Sequence, residues 1–543
     1  MKNTIVACLF ILPLFGCHET AKTPPGDQLG ELHLSFSANP AAMPHFEKGL
    51  KLLHNFEYDD ACKEFLQAQA LDSNFVMAYW GEAMTYNHPL WRQQDYEKGW
   101  TAIVKLGEKP GIRAEKAKTE LERDFLHAAE ILYGMGEKHQ RDSAYSKQLE
   151  KMYGDYPGNE EVAAFYALSL LGAVPVGRDQ AAYEKGAAIV QGILKENPQH
   201  PGALHYLIHS YDDPGHAPLA LQAAHSYSEV AAGATHALHM PSHIFVAVGL
   251  WDEVVSSNIA SWNASVERMK AKGLDNSDLS YHALHWLMYG YLQQGKTEEA
   301  QKIMLDMRRY VDELPSKNGR DYLLGMKGNY LVETGDWDSE IAGYDCEQKD
   351  LNVATRAIFS FLEGMKAFRA GDKNALSATI EEMASERKSA ANLVSGAGIA
   401  MCAAAKGSDN APNQLDLDQA NVLEMELRSL LAQLAGSTAD AEKWLRSATV
   451  LQESISYSYG PPPIVKPSWE LYGEWLLEQN RAGEALAQFD MALQKGPNRL
   501  MALSGKLKAA KMAGDEGKAG EAEKALEDIR NKAAAKPKGE RII

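Results

Sequence analysis

The strongest constraint on the fold is a spacing of small and large residues near the C-terminus. Trp469, Gly473 and Leu476 fall at i, i+4 and i+7; Ala485, Phe489 and Ala492 repeat those intervals, and Pro497 follows. Steps of four and three put each trio on one helix face. Small residues let the two helices approach closely and large ones fill the gaps. Near the start, Gly49, Leu52, Ala61, Phe65 and Ala68 follow the same plan. Looser copies have Ala220 and Ala224 after Gly215, Val254 and Asn258 after Gly249, and Glu299 and Ile303 beyond Gly295. A chain of 543 residues exceeds the usual size of one core. Self-similarity at a fixed period therefore predicts an array of stacked helical units. No β-rich stretch is present, so the expected class is all-α.

The last unit resembles the tetratricopeptide repeat (TPR). In a 34-residue frame its seven residues occupy slots 4, 8, 11, 20, 24, 27 and 32. The resemblance implies a right-handed α-solenoid of helix pairs over most of residues 40–530. Four inserts break the period: a charged helical stretch at 106–140, a loop at 172–182, a charged excursion at 266–278, and the proline-containing stretch 452–467, which cannot be helical. The expected divisions are N-terminal repeats at 31–105, central repeats with a histidine-rich concave face at 106–310, and C-terminal repeats at 311–543. The chain from Phe46 to about Ala510 is also similar to a family of exported bacterial tetratricopeptide proteins and lipoproteins. Its strongest blocks are Ala78-Tyr79-Trp80-Gly81-Glu82-Ala83-Met84, His205-Tyr206-Leu207-Ile208-His209-Ser210-Tyr211-Asp212, and His236-Ala237-Leu238-His239-Met240-Pro241-Ser242-His243-Ile244-Phe245. That similarity implies architecture and no activity.

The N-terminus carries Lys2 and then an apolar run from Ile5 to Phe15, too short to span a bilayer. It ends Leu14-Phe15-Gly16-Cys17, which resembles the lipobox of bacterial lipoproteins. The expectation is a signal peptide over 1–16, lipidation at Cys17 and a flexible tether over 17–30. Ordinary secretion with cleavage nearby is the alternative. His18 stands where an Asp would favour inner-membrane retention, so the expected address is the outer membrane, facing the periplasm, with the cell surface left open. The lipid would be the only membrane contact. Cys62, Cys346 and Cys402 are widely scattered and form neither a disulfide scaffold nor a CxxC site; Cys62 and Cys402 read as core residues. The formal charge of −18 argues against nucleic acid as a partner.

The histidines carry the clue to chemistry. With Gly215, Gly249 and Gly295 each at slot 15, His205, His239 and His285 share slot 5. His209 and His243 share slot 9, where the third copy has Tyr289, and His236 and His282 share slot 2. Slots 2, 5 and 9 make one stripe along a helix. In tetratricopeptide proteins that stripe lines the concave surface, so the resemblance implies that imidazoles from three neighbouring helices meet in one groove. Imidazole suits Zn, Cu, Ni and Fe, and Asp212, Asp213 and His216 stand close by as further ligands. His205-x-x-x-His209 matches a zinc-protease motif only in spacing, because Tyr206 occupies the place of its Glu. The competing reading is structural: histidines on apolar faces are usually packed, hydrogen-bonded core residues. Yet slots 5 and 9 of the last unit are Glu470 and Glu474, so duplication did not spread histidine everywhere. His54 and His88, also 34 apart and near Trp80 and Trp91, extend the polar lining of the groove or serve the core. The 452–467 stretch, with Tyr457, Tyr459 and Lys466, folds over the concavity or merely connects.

The expected function is a membrane-anchored periplasmic repeat protein binding a transition metal (Zn, Cu or Fe) in a histidine-lined groove open to a protein or small-molecule ligand. The alternatives are a hydrolase-like enzyme, whose metal activates water near Asp212 or Asp213, and a pure protein-interaction scaffold.

Overall fold

A computed structural model describes residues 28–36, 38–396, 398 and 411–534. The expected signal peptide, Cys17 and Cys402 lie outside these residues. The described chain is an all-α solenoid of helix pairs, each helix packing mainly on its sequence neighbours. The C-terminal unit read from the sequence folds as the helices Ser468–Glu478 and Ala482–Lys495, and a further pair, Leu500–Ala513 and Glu516–Ala533, follows it. Gly473 lies so close to Phe489 that a Cβ there would come within 2.8 Å of the ring. The inserts fall close to the expected bounds, except that residues 452–454 still belong to the helix Thr438–Ser454, because the prolines begin only at Pro461. Helices Pro110–Lys116 and Glu120–Leu132 fill the first, the chain leaves helix at Gly172 and re-enters at Gln180, and residues 455–467 are non-helical. The one described ladder pairs Asn87–His88 with Gln93–Gln94. Among the described residues no helix is long and apolar enough to cross a membrane.

Three features differ from expectation. Residues 28–30 are not part of a tether: Leu29 is buried, Gln28 C=O accepts from Gly233 N–H, and the next residue, Glu31, donates its N–H to Gln199 C=O. The division at 310 falls inside the Thr297–Glu313 helix. Finally, both ends of the array dock on its middle, where an open solenoid would have only neighbour contacts. Asn55 accepts from the Tyr227 hydroxyl at 2.7 Å, and Trp251 Nε1 donates to Asn498 C=O at 2.8 Å. Leu503, Leu526 and Ile529 join the apolar cluster built by residues 29–254. The solenoid is wound tightly enough for its ends to reach the central repeats, and its inner wall becomes interior.

Candidate metal centre

Four helices present the histidines. Pro201–Tyr211 carries His205 and His209; Pro201 occupies its first turn, where the missing N–H costs nothing. The stripe expected along one helix in the next repeat is broken. Thr235–His239 ends at Met240, and Pro241 starts Pro241–Val248 with His243. Tyr281–Gln293, capped by Ser280, carries His282 and His285.

The imidazoles converge in two groups of three. His205, His209 and His236 offer nitrogens within 4.8 Å of one another, and so do His239, His243 and His282. Ring centroids within the groups lie 4.5–5.1 Å apart for neighbouring pairs. His209 and His243, one from each group, are 5.2 Å apart. Four of the six are interior, not a solvent-facing groove lining, with His205 0% exposed and His243 2%, while His236 and His282 are half-buried. Phe56 packs on His205, and Trp286 and Tyr459 pack on His243. Tyr459 comes from the 452–467 insert, which thus folds over the histidines.

Hydrogen bonding defines which nitrogen carries the proton. His205 Nδ1 donates to the His54 carbonyl at 2.7 Å, and His243 Nδ1 donates to Asp212 Oδ2 at 3.1 Å. His209 Nδ1 reaches the same Oδ2 at 3.3 Å. His239 Nδ1 meets Asn258 Oδ1 at 2.7 Å, and Asn258 is oriented by donating its own amide to Val254 C=O. A carbonyl or carboxylate only accepts, so each Nδ1 holds the proton and each Nε2 presents a lone pair. The Nε2 atoms of His205, His209, His236, His239 and His243 are all buried without a hydrogen-bond partner. Burial, reinforced by neighbouring imidazoles, holds His205, His236, His239 and His282 well below the usual histidine range and pushes His243 down to about 4. Buried lone pairs on neutral rings, fixed from behind by acceptors, are the arrangement of metal-ligating histidines.

Asp212 is fully buried between the groups. Burial alone would raise its pKa, but the Arg178 guanidinium and the two histidines hold the carboxyl well below the usual range. A cavity of about 260 Å³ adjoins this point, lined by Arg92, Arg178, His209, Asp212, Tyr457 and Tyr459 among others.

Other expected ligands stand apart. Asp213 accepts from His216 Nδ1 at 2.9 Å, and that half-buried ring stacks on Tyr211. His285 Nε2 donates to Asn329 Oδ1 at 2.7 Å and belongs to neither group. His54 joins a cluster with Glu161 and His200, neither of which the sequence singled out. There His54 Nε2 donates to Glu161 at 2.8 Å while Nδ1 accepts from the Tyr206 hydroxyl at 2.8 Å. His200 Nδ1 accepts from Ala203 N–H at 3.1 Å. Both histidines thus have a lone pair engaged, and His200 Nε2 lies 3.6 Å from Glu161 Oε1. Burial would raise Glu161, but His54 and His200 hold it down to about 2. Arg178 has no signal in the sequence pattern, and Asn258 stands there only as a repeat position, not as a partner of His239. Asn258 had a signal: it is polar in slot 24, where the last unit has Phe489.

No protein-family model matches the chain. No curated protein matches it. Solved structures similar to it include Ypp1 (9% identity, 91% of this chain and 89% of that one, TM-score 0.38), yeast Tom70 (11%, 88% and 96%, 0.32) and the human IFIT1 dimer with PPP-AAAA (12%, 92% and 97%, 0.35). Similarity of this degree identifies neither ligand nor partner.

Proposed function

We propose that this protein is a transition-metal-binding repeat protein, exported and held at the outer membrane by a lipid on Cys17. One observation carries the metal reading: five buried imidazole Nε2 atoms without a partner converge from two neighbouring repeats. A buried polar atom left unsatisfied costs about 1–3 kcal/mol, so five together are costly unless a ligand takes them up. Zinc, copper or ferrous iron suits imidazole donors. The helix-pair fold also fits a protein-interaction scaffold, and the two roles are compatible.

Elemental analysis of protein purified without chelator tests the metal. The expected result is a first-row transition metal co-purifying with the chain and lost in His209→Ala/His243→Ala, with helicity by circular dichroism largely retained. A wild-type chain that binds no added Zn²⁺, Cu²⁺ or Fe²⁺ refutes it. For the anchor, Cys17→Ala should leave the membrane fraction or keep its signal uncleaved; identical, lipid-free fractionation of both forms refutes it.

A second reading rests on the cavity. Its contact with His209 and Asp212, beside two arginines, favours a small anionic molecule held next to the metal, as a metal-dependent hydrolase would require. Steady-state hydrolysis that depends on both metal and Arg178 would establish it.

A further inference from the structure

We infer that the centre is dinuclear, with one ion in each histidine triad and Asp212 coupling the two; this rests on the metal-binding reading above. The triads are the same unit written twice. The first takes slots 5 and 9 of one repeat, His205 and His209, and slot 2 of the next, His236. The second takes slots 5 and 9 of that next repeat, His239 and His243, and slot 2 of the one after, His282. The pattern then stops for a visible reason. Slot 9 of the third copy is Tyr289, and Tyr322 stands where a third slot-2 histidine would be, as far before the left-handed Gly335 as His282 is before Gly295.

The first triad draws ligands from two helices and the second from three, and no histidine belongs to both. The first contributes three unpartnered Nε2 atoms and the second at least two, His239 and His243. Nitrogens bound to one ion at about 2.0–2.1 Å lie roughly 3–3.5 Å from one another. Within each triad the spacing is no more than 4.8 Å, which small ring rotations close. Six imidazoles are too many for one tetrahedral ion and suit two three-histidine sites, each with one position free. Asp212 explains the pairing. Its Oδ2 accepts from His209 of one triad and His243 of the other, while Arg178 occupies Oδ1. One carboxylate thereby orients a ligand of each ion, and its charge offsets part of the repulsion between two cations.

Chelator-stripped protein titrated with Co²⁺, following the visible d–d absorption, tests this without any variant. The expected break is at two equivalents per chain. Metal-to-chain ratios after dialysis against Zn²⁺ should then be two for wild type, one for His205→Ala/His236→Ala and one for His239→Ala/His282→Ala. Asp212→Asn should weaken both sites together, by about 10–100-fold. A break at one equivalent, with either pair of substitutions abolishing it, overturns the dinuclear assignment and leaves the metal reading standing. Weakening of only one site by Asp212→Asn overturns the coupling. No binding by the wild type overturns both readings.

Discussion

Slots 5 and 9 of the repeat hold histidines in Pro201–Tyr211 and glutamates in Ser468–Glu478, and the two interiors solve burial differently. At the C-terminal end Glu470, Glu333 and Glu474 each pair with a cation. Arg499 donates to Glu470 at 2.6 and 3.0 Å and to Glu333 at 2.7 Å, and also bonds the Tyr289 hydroxyl; Lys466 donates to Glu474 at 2.6 Å. Arg499 sits in the turn that meets the central repeats, where Leu500 N–H donates to Gln293. That cluster clasps the end of the array to its middle. The histidine interior differs: the Nδ1 atoms of His205, His209, His239 and His243 are hydrogen-bonded and their Nε2 atoms are not. Carboxylates paired with cations mark a structural lock, whereas convergent unsatisfied lone pairs mark a ligand site.

The largest expected effect breaks the clasp. Arg499→Met strands Glu333 and Glu470 in the interior and should cost about 3–5 kcal/mol in urea unfolding; it should also speed proteolysis of the C-terminal helices while metal content stays unchanged. Loss of metal in this variant would mean that the two interiors are one system.

Acid should separate the regions next. Burial pushes His285 down to about 4, while the unfolded chain titrates near 6.5. Between those values the unfolded state binds the proton and the native state does not, so stability is full above about 6.5 and falls with pH toward 4. For this one histidine the loss is about 3 kcal/mol, readable as a falling denaturation midpoint in metal-free protein. A flat stability profile from pH 7 to 4.5 would contradict neutral burial.

A smaller effect belongs to Asn258→Leu, which leaves His239 Nδ1–H without its acceptor. The expected cost is about 1–3 kcal/mol, with weaker metal binding by the triad that contains His239. A neutral effect on both would make Asn258 a bystander. Smallest is Tyr459→Ala. Its half-exposed ring covers His243, so metal exchange followed by a chromophoric chelator should quicken while stability shifts by less than about 1 kcal/mol.

Much of the helical array was legible because packing writes itself into local spacing: Gly473 faces Phe489 as the slots implied. The histidine convergence was legible because two repeats share slots 2, 5 and 9. Burial of the site was not, since it depends on residues distant in sequence coming together. Phe56 and Tyr459 reach His209 from opposite ends of the chain, and no periodicity announces that. Arg178 meets Asp212 from a loop outside the repeat pattern. Pro241 could have warned of the break in the stripe, since it cannot continue the hydrogen-bond ladder. His285, Asp213 and His216 share the repeat pattern or the neighbourhood but have private partners, which spacing alone does not reveal.

X-ray absorption spectroscopy of the metal-loaded chain probes the central claim most directly, because it reads the donor atoms themselves. The expected spectrum for bound zinc has a first shell of nitrogens near 2.0–2.1 Å, with the outer scattering of several imidazole rings, and it collapses in His209→Ala/His243→Ala. A shell of oxygen or sulfur donors without imidazole scattering, or a spectrum unchanged by that double substitution, would place the metal elsewhere and leave these histidines as packing.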